Sequence, residues 1–374
     1  MIRFRPTVAE IDLDAIRHNV RVVRPRDAGV MAVVKSNGYG HGAVPCARAA
    51  LEGGASWLGV ALVEEGLSLR EAGIEAPVLV LSEFPPGAEK DALAAGLTPT
   101  VYTEAGLDGL SQVARDLGVA ARVHLKVDTG MHRVGLYPPE KTVSFARRIL
   151  DSGLELEGLW THFARSEEDE ETTHDQLGRF LKVSRTLEES GIDPPVRHAA
   201  NSAAAALYPD SHFDLVRIGI ATYGLEPGPG VGWDEKLHPA LSWRSAVTVA
   251  RTLPAGERLS YGHTYGLDRE ATVATVPVGY ADGYPRALSN RAHVLIRGKR
   301  RRVAGTVTMD QLMVDCGDDP VQAGDEVVLI GSQGDEEVTA WELARLAGTI
   351  GYEIVCGISE RVPREYAGGG EGGR

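Results

Sequence analysis

The stretch Met31-Ala32-Val33-Val34-Lys35-Ser36-Asn37-Gly38-Tyr39-Gly40-His41-Gly42 settles the fold class. Four apolar residues in a row read as a strand buried on both faces, the pattern of a parallel sheet. The glycines end the strand, and an amphipathic segment at 43–53 reads as the crossover helix that a parallel neighbour requires. The unit then recurs. Apolar, β-branched runs at 31–37, 57–62, 77–83, 97–103, 122–129, 156–163, 196–201 and 213–220 alternate with helical-period segments such as 103–117, 139–152 and 172–190. Eight strand–helix units close a (β/α)8 TIM-type barrel in about 250 residues. An open doubly wound sheet would use fewer strands, and no GxGxxG follows the first one.

Beyond Gly228-Pro229-Gly230-Val231-Gly232 the texture changes. That run lacks a Lys-Ser/Thr ending and a following helix, so it reads as a linker rather than a phosphate loop. Short alternating strands at 245–252, 272–277, 293–296, 303–308 and 326–330 follow, separated by Gly, Asp and Pro turns, with one helix near 339–347. The expected organisation is α/β: a barrel over 11–237, then a mainly β C-terminal domain over 238–366 joined by a strand from residues 1–10, and a disordered tail at 367–374. Two charge runs have plain structural readings. Residues 166–171 fit a capped, acidic helix start, and 297–302 fit a solvated hairpin tip.

The chain has 374 residues, with 39 Lys+Arg against 52 Asp+Glu and a net charge of −13. Such a balance offers no basic face for phosphate neutralisation, which argues against a nucleic-acid or anionic-membrane partner. Cys46, Cys316 and Cys356 are widely spaced with no CxxC, and the 11 histidines form no HExxH, so neither a disulfide framework nor a metal site is expected. The first residues lack an export signal's apolar stretch, no run is long enough to span a bilayer, and a cytoplasmic location is expected.

Catalytic groups of such a barrel project from the C-terminal strand ends. Lys35 closes the first run, where loss of water lowers an amine's pKa and favours its neutral form. Neutral amines condense with aldehydes, and pyridoxal phosphate is the usual biological one. Lys126 and Arg133 follow the fifth run, His162 the sixth, Asn201 and Ser202 the seventh, and Arg217, Gly219 and Ile220 the eighth. Small polar groups and free N–H donors after the last two strands are what a barrel uses to hold a phosphate. Singly, a lysine belongs on the surface, a histidine in a satisfied core and Asn201 at a helix cap. Jointly they make one polar ring.

The segment around Lys35, with Asn37, Tyr39-Gly40 and His41-Gly42, resembles the signature of the alanine racemase family. Asp128-Thr129-Gly130-Met131-His132-Arg133, Thr161-His162-Phe163, Asn201-Ser202, Val216-Arg217-Ile218-Gly219 and Ser260-Tyr261-Gly262 are similar to it in order and spacing. So are Gly279-Tyr280-Ala281-Asp282-Gly283, Met309-Asp310-Gln311 and Gly351-Tyr352-Glu353. The resemblance implies interconversion of L- and D-alanine, supplying D-alanine for peptidoglycan, with pyridoxal phosphate bonded to Lys35. It implies that Tyr39, Asn201, Ser202, Tyr352 and the backbone of Gly219 and Ile220 hold the phosphate. Arg217 would face the pyridine nitrogen with His162 behind it. Arg133, positioned by a Lys126 that some members carry carbamylated, would reach the substrate carboxylate. Tyr261 and Met309 would come from the second subunit of a homodimer with shared active sites, and Tyr280, Tyr352 and Asp310 would line or support the entrance. His132 stands where several members have Gly, Ser36 and Gly38 replace common alanines, and Thr306 occupies a place where arginine occurs in some.

In that implied arrangement Lys35 and Tyr261 are two bases on opposite faces of the cofactor, and nearby cations must lower both from pKa values near 10. The alternatives differ in their second base. A decarboxylase of the same plan would set a cysteine there, and a cofactor carrier would need none. A broader racemase would keep the tyrosine and act on larger amino acids.

Overall fold

The computed structural model describes residues 4–368, so residues 369–374 of the expected tail lie outside the described residues. The chain divides into two compact units. One comprises Asp14–Gly38 and Ala43–His238, and the other Met1–Leu13, Tyr39–Gly42 and Pro239–Arg374.

Counted along the chain, β1 (Val8–Asp12) belongs to the second unit. The first is built from β2 (Gly29–Val33), β3 (Trp57–Val60), β4 (Val78–Val80), β5 (Thr98–Val101), β6 (Arg122–Lys126), β7 (Glu155–Trp160), β8 (Val196–His198) and β9 (Leu215–Ile218). They pair in the order β9-β2-β3-β4-β5-β6-β7-β8, every neighbour parallel. At the seam between β8 and β9, Asp214 N donates to Arg197 O at 3.1 Å and Arg217 N to Ala200 O at 3.0 Å, so the eight strands form a nearly closed barrel. Every residue of β4 is buried, which explains a run without polar alternation, and β5 buries its threonines Thr98 and Thr100 as well. Each fully buried Val or Leu there contributes about 1.5–3 kcal/mol over leaving it in water.

The covering helices follow local rules. In the helix Glu104–Leu117, the Thr103 side chain accepts from Gly106 N at 3.0 Å, and Gly118 takes the left-handed conformation that ends it. Its buried face, Leu107, Leu110, Ser111 and Ala114, has the 3–4 residue period of a single stripe. The helix Glu170–Glu189 begins inside the acidic run, and its cap is Asp169, which accepts from Thr172 N at 3.0 Å. Ser166 does not cap it; it is buried and hydrogen-bonds Asn201 Oδ1 at 2.8 Å.

The second unit contains β10 (Leu241–Ala246), β11 (Val249–Leu253), β12 (Arg258–Leu259), β13 (Tyr265–Gly266), β14 (Ala271–Val276), β15 (His293–Ile296), β16 (Lys299–Val303), β17 (Leu312–Asp315), β18 (Glu326–Gln333), β19 (Glu336–Val338) and β20 (Arg364–Ala367). The main sheet runs β11-β14-β17-β16-β15-β18-β10-β1-β20, with β19 on β18, while β12 and β13 form a separate hairpin. β10 buries alternate residues, as a strand with one wet face must.

Three local expectations are corrected. The run at 245–252 is two strands, because after Ala246 the chain leaves β18 and pairs with β14. The arginine run is not a hairpin tip: only Arg297 and Gly298 form the left-handed turn, and Lys299–Val303 is strand β16. Its charges are met from outside the strands, Arg300 by Glu342 on the helix Ala340–Ala347 and Arg301 by Asp319 in the loop after β17. Ala367, placed in the disordered tail, pairs with Asp12 in the parallel β1–β20 ladder. Among the described residues no helix is long and apolar enough to cross a membrane, and no cluster of His, Cys, Asp and Glu could hold a metal ion.

Candidate active site

After β2 the chain turns abruptly. Val34 N still donates to Gly59 O of β3 at 2.8 Å, but Ser36, Asn37 and Gly38 all take left-handed conformations, with φ of 52°, 52° and 62°. Such positions cost about 1–2 kcal/mol for a residue with a Cβ, so the turn must be held from outside. Glu65 does part of this, its carboxylate accepting from Ser36 N at 2.6 Å and Ala61 N at 2.8 Å. Asn37 Oδ1 accepts from Ala43 N at 2.9 Å. Lys35 is thereby set at the C-terminal end of β2.

β6 ends on Lys126, whose Nζ lies 4.2 Å above the centroid of the buried Trp160 ring of β7. The Arg217 guanidinium stands 4.8 Å over the same ring. Burial first, then Arg217, Arg133 and Lys35 against the opposing pull of Asp128, bring the Lys126 pKa from 10.5 down to about 7. Between those pH values the folded protein holds fewer protons at Lys126 than the unfolded chain, so this residue makes stability rise with pH across that window. Urea midpoints are expected to climb with pH in the wild type and to climb less steeply in Lys126→Met.

The loop bearing Arg133 is tied at both ends. Leu136 N donates to Lys126 O at 2.8 Å and Asp128 N to Leu136 O at 3.1 Å. Asp128 Oδ1 accepts from Gly130 N and His132 N, and His132 sits at φ 55° with its ring edge-on to Tyr137. Gln176, on the helix Glu170–Glu189, joins this loop to the one after β7. Its amide donates to Thr129 Oγ1 at 3.3 Å and His162 O at 3.2 Å, and its carbonyl accepts from Ala164 N at 2.8 Å.

Arg217, on β9, is buried and almost fully engaged. Nη2 donates to Thr161 O at 2.8 Å and Ala199 O at 2.9 Å and lies 3.2 Å from His162 Nδ1, while Nη1 meets His198 Nδ1 at 3.0 Å. None of these bonds uses its Nε–H. Burial lowers the guanidinium pKa, but a ring of acceptors favours the cation, and it stays protonated. His162 is held well below 6.5 by loss of water and by four cations, Arg217, Lys126, Arg133 and Lys35, and is neutral.

Asn201 caps the helix Ser202–Leu207: its Oδ1 accepts from Ala204 N at 2.9 Å and from Ser166, leaving its amide NH2 as the donor. Gly219 N donates to Ser202 Oγ at 3.0 Å. Of the two backbone donors expected at 219 and 220, Gly219 is therefore already committed to Ser202 Oγ. Ile220 opens a 3₁₀ turn, Ile220–Tyr223, whose first N–H has no partner within the turn.

The second unit holds the other named residues. Tyr39 and Tyr352 lie with ring centroids 6.3 Å apart. Gly40 is required there, because a Cβ would overlap the Val355 carbonyl, and Arg364 Nε donates to Gly40 O at 3.0 Å. Tyr261 follows β12 and is 76% exposed; Met309 and Tyr280 are also exposed. Their loops interlock. Tyr280 N donates to Thr308 O and Ala281 N to Met309 O, both at 3.0 Å, and Thr306 Oγ1 donates to Tyr261 O at 2.9 Å. Asp310 pairs with Arg361 at 2.7 Å. Thr306 is thus a brace for the Tyr261 turn, not an open entrance position.

Sequence reasoning named the ring of strand-end residues but missed Glu65, Gln176, His124, His198 and Trp160. His124 and His198 each interrupt a strand run, which was the available signal; Glu65 and Gln176 sit in polar helical stretches and Trp160 continues an apolar run, so nothing local singled them out.

Family comparisons agree with this geometry. The alanine racemase N-terminal domain matches over residues 11–227 and the C-terminal domain over 240–366. The chain is 54% identical over 368 residues to a protein named alanine racemase from Symbiobacterium thermophilum, covering 97% of this chain and 98% of that one. It is similar to the crystal structure of alanine racemase from D-cycloserine-producing Streptomyces lavendulae, with TM-score 0.94, 44% identity and 99% of each chain covered. The alanine racemase of Bacillus anthracis with bound L-Ala-P gives TM-score 0.93 and 41% identity over 99% of this chain and 97% of that one. With both domains matched and more than half of the residues shared with a relative along nearly its full length, the chain belongs to the alanine racemase family and is an isomerase.

Proposed function

We propose that the protein interconverts L- and D-alanine with pyridoxal phosphate, using Lys35 and, from a second copy of the chain, Tyr261 as its two bases. The observation that carries this reading is the charge imbalance at the barrel mouth. Lys35, Lys126, Arg133 and Arg217 act together on His162, and three of them act on Lys126 with Asp128 as the opposing carboxylate. A phosphate ester and an amino-acid carboxylate fit such a surplus of cations. Asn201, Ser202 and Ile220 would hold the phosphate, with Tyr39 and Tyr352 contributing hydroxyls. Bound there, pyridoxal phosphate would supply an electron-withdrawing ring that makes the Cα proton of alanine removable.

The chain's own groups do the rest. The Lys35 amine takes or returns the Cα proton on one face, and the Tyr261 phenol does so on the other, so each enantiomer meets a base on its own side. Arg133 orients the carboxylate. Arg217 offers its remaining N–H to the ring nitrogen and keeps its proton, because a guanidinium does not give one up. That limits electron withdrawal and favours proton return to Cα over transfer elsewhere. The exposure of Tyr261, Tyr280 and Met309 supports an assembly in which a partner covers them.

Borohydride reduction of the holoenzyme, peptide mapping and an alanine assay test this together. The reduced cofactor is expected on the Lys35 peptide, with both enantiomers converging on an equal mixture. Label on a peptide lacking Lys35 would reject that assignment, and turnover without inversion would reject the reaction.

A further inference from the structure

His198 touches Arg217, and behind it His124 and Glu157 continue as a chain of close contacts that ends on a partly exposed carboxylate, whose other oxygen lies 3.4 Å from Arg122. His124, Glu157 and His198 lie on β6, β7 and β8, and Arg217 lies on β9, at the next position around the barrel. Arg217 Nη1 meets His198 Nδ1 at 3.0 Å, His198 Nε2 meets His124 Nδ1 at 2.9 Å, and His124 Nε2 lies 3.4 Å from Glu157 Oε2. Both imidazoles are wholly buried, and Trp160 stacks on His198 at 5.4 Å with 10° between planes. Gly158, the register partner of His124, has to be glycine because a Cβ would strike the His124 ring.

The direction of every proton follows from the donors. A guanidinium only donates, so His198 Nδ1 accepts. Burial keeps both imidazoles neutral, so His198 carries its single proton at Nε2 and gives it to His124 Nδ1. His124 then carries its proton at Nε2, facing Glu157 Oε2. Those two atoms stand 3.4 Å apart without meeting hydrogen-bond geometry, and neither has a hydrogen-bond partner among the described residues, so each is the available partner of the other.

We propose that Glu157, His124 and His198 are positioning residues of the isomerase, a one-way chain that fixes Arg217 in the pose and charge state its role at the ring nitrogen requires. This rests on the functional reading above. A carboxylate touching Arg217 directly would spend the donors that the ring needs. Two neutral imidazoles instead carry the carboxylate's influence to a single Nη1 proton and leave Nε–H free to serve the ligand.

Histidine-selective 15N NMR of the holoenzyme, with steady-state kinetics of Glu157→Gln, tests the chain. In the wild type, His124 and His198 are expected to bear protons at Nε2 and none at Nδ1. Glu157→Gln keeps the shape and removes the charge. It is expected to let His124 populate its other tautomer and to lower kcat about tenfold with KM for alanine within about twofold, the pattern of a lost supporting contact. A wild-type His124 or His198 protonated at Nδ1 overturns the proposal. So does a Glu157→Gln enzyme with unchanged ring spectra and unchanged kcat. Tautomers are read without turnover, so absence of racemisation in the wild type would reject the functional reading instead.

Discussion

Replacing Lys35 by alanine is expected to lower alanine racemisation by about 10⁴-fold or more, since in the proposed mechanism it would remove both an acid–base group and the covalent anchor of the cofactor. The variant should still fold. Lys35 lies past the end of β2, and the turn that follows is held by Glu65, Asn37 and Val34 through groups that the substitution leaves in place. The residual protein should take up pyridoxal phosphate without a borohydride-stable link, because Asn201, Ser202 and Ile220 remain. Retained racemisation within about tenfold of wild type would remove Lys35 from the chemistry.

Tyr261→Phe is the second large effect. It deletes one oxygen and leaves the ring and the mount intact, since Thr306 holds Tyr261 by its backbone carbonyl. The expected loss is about 10²–10⁴-fold, the range for a single acid–base group. Mixing this chain with Lys35→Ala separates shared sites from self-contained ones. In a randomly reassorted mixture about half of the dimers are mixed, and each has one site with both bases intact, so about a quarter of the wild-type sites should return. If both bases came from one chain, no mixture would recover activity.

The barrel was legible because its evidence is local. Each βα unit shows an apolar run, a small or polar loop and a helical stripe within about 30 residues. The strand-end rule then placed Lys35, Lys126, Arg133, His162, Asn201 and Arg217 without any distance being known. What could not be read depends on which strands become neighbours at what height. His124 and His198 are 74 positions apart in the chain and 2.9 Å apart in space. Each alone is an ordinary buried histidine in a strand, and only barrel closure makes them a pair. The arginine run failed for a related reason: five basic residues and a glycine look like solvent-facing turn chemistry, yet Asp319 and Glu342, remote in sequence, receive their charge and let the strand continue. Gln176 is the same case on a helix, one amide in a buried stripe whose three partners lie on two other loops.

The joint between β8 and β9 carries a consequence for the whole barrel. Two main-chain links span it, joined by Arg197 N to Asp214 Oδ2 and the Arg217 side chain to Ala199 O, and the groups proposed for the phosphate stand on its two rims: Asn201 and Ser202 on one side, Ile220 on the other. Gly219 N to Ser202 Oγ is already one stitch across. A dianion gripped from both rims would act as a further staple across the joint, so loading the enzyme would also fasten its scaffold.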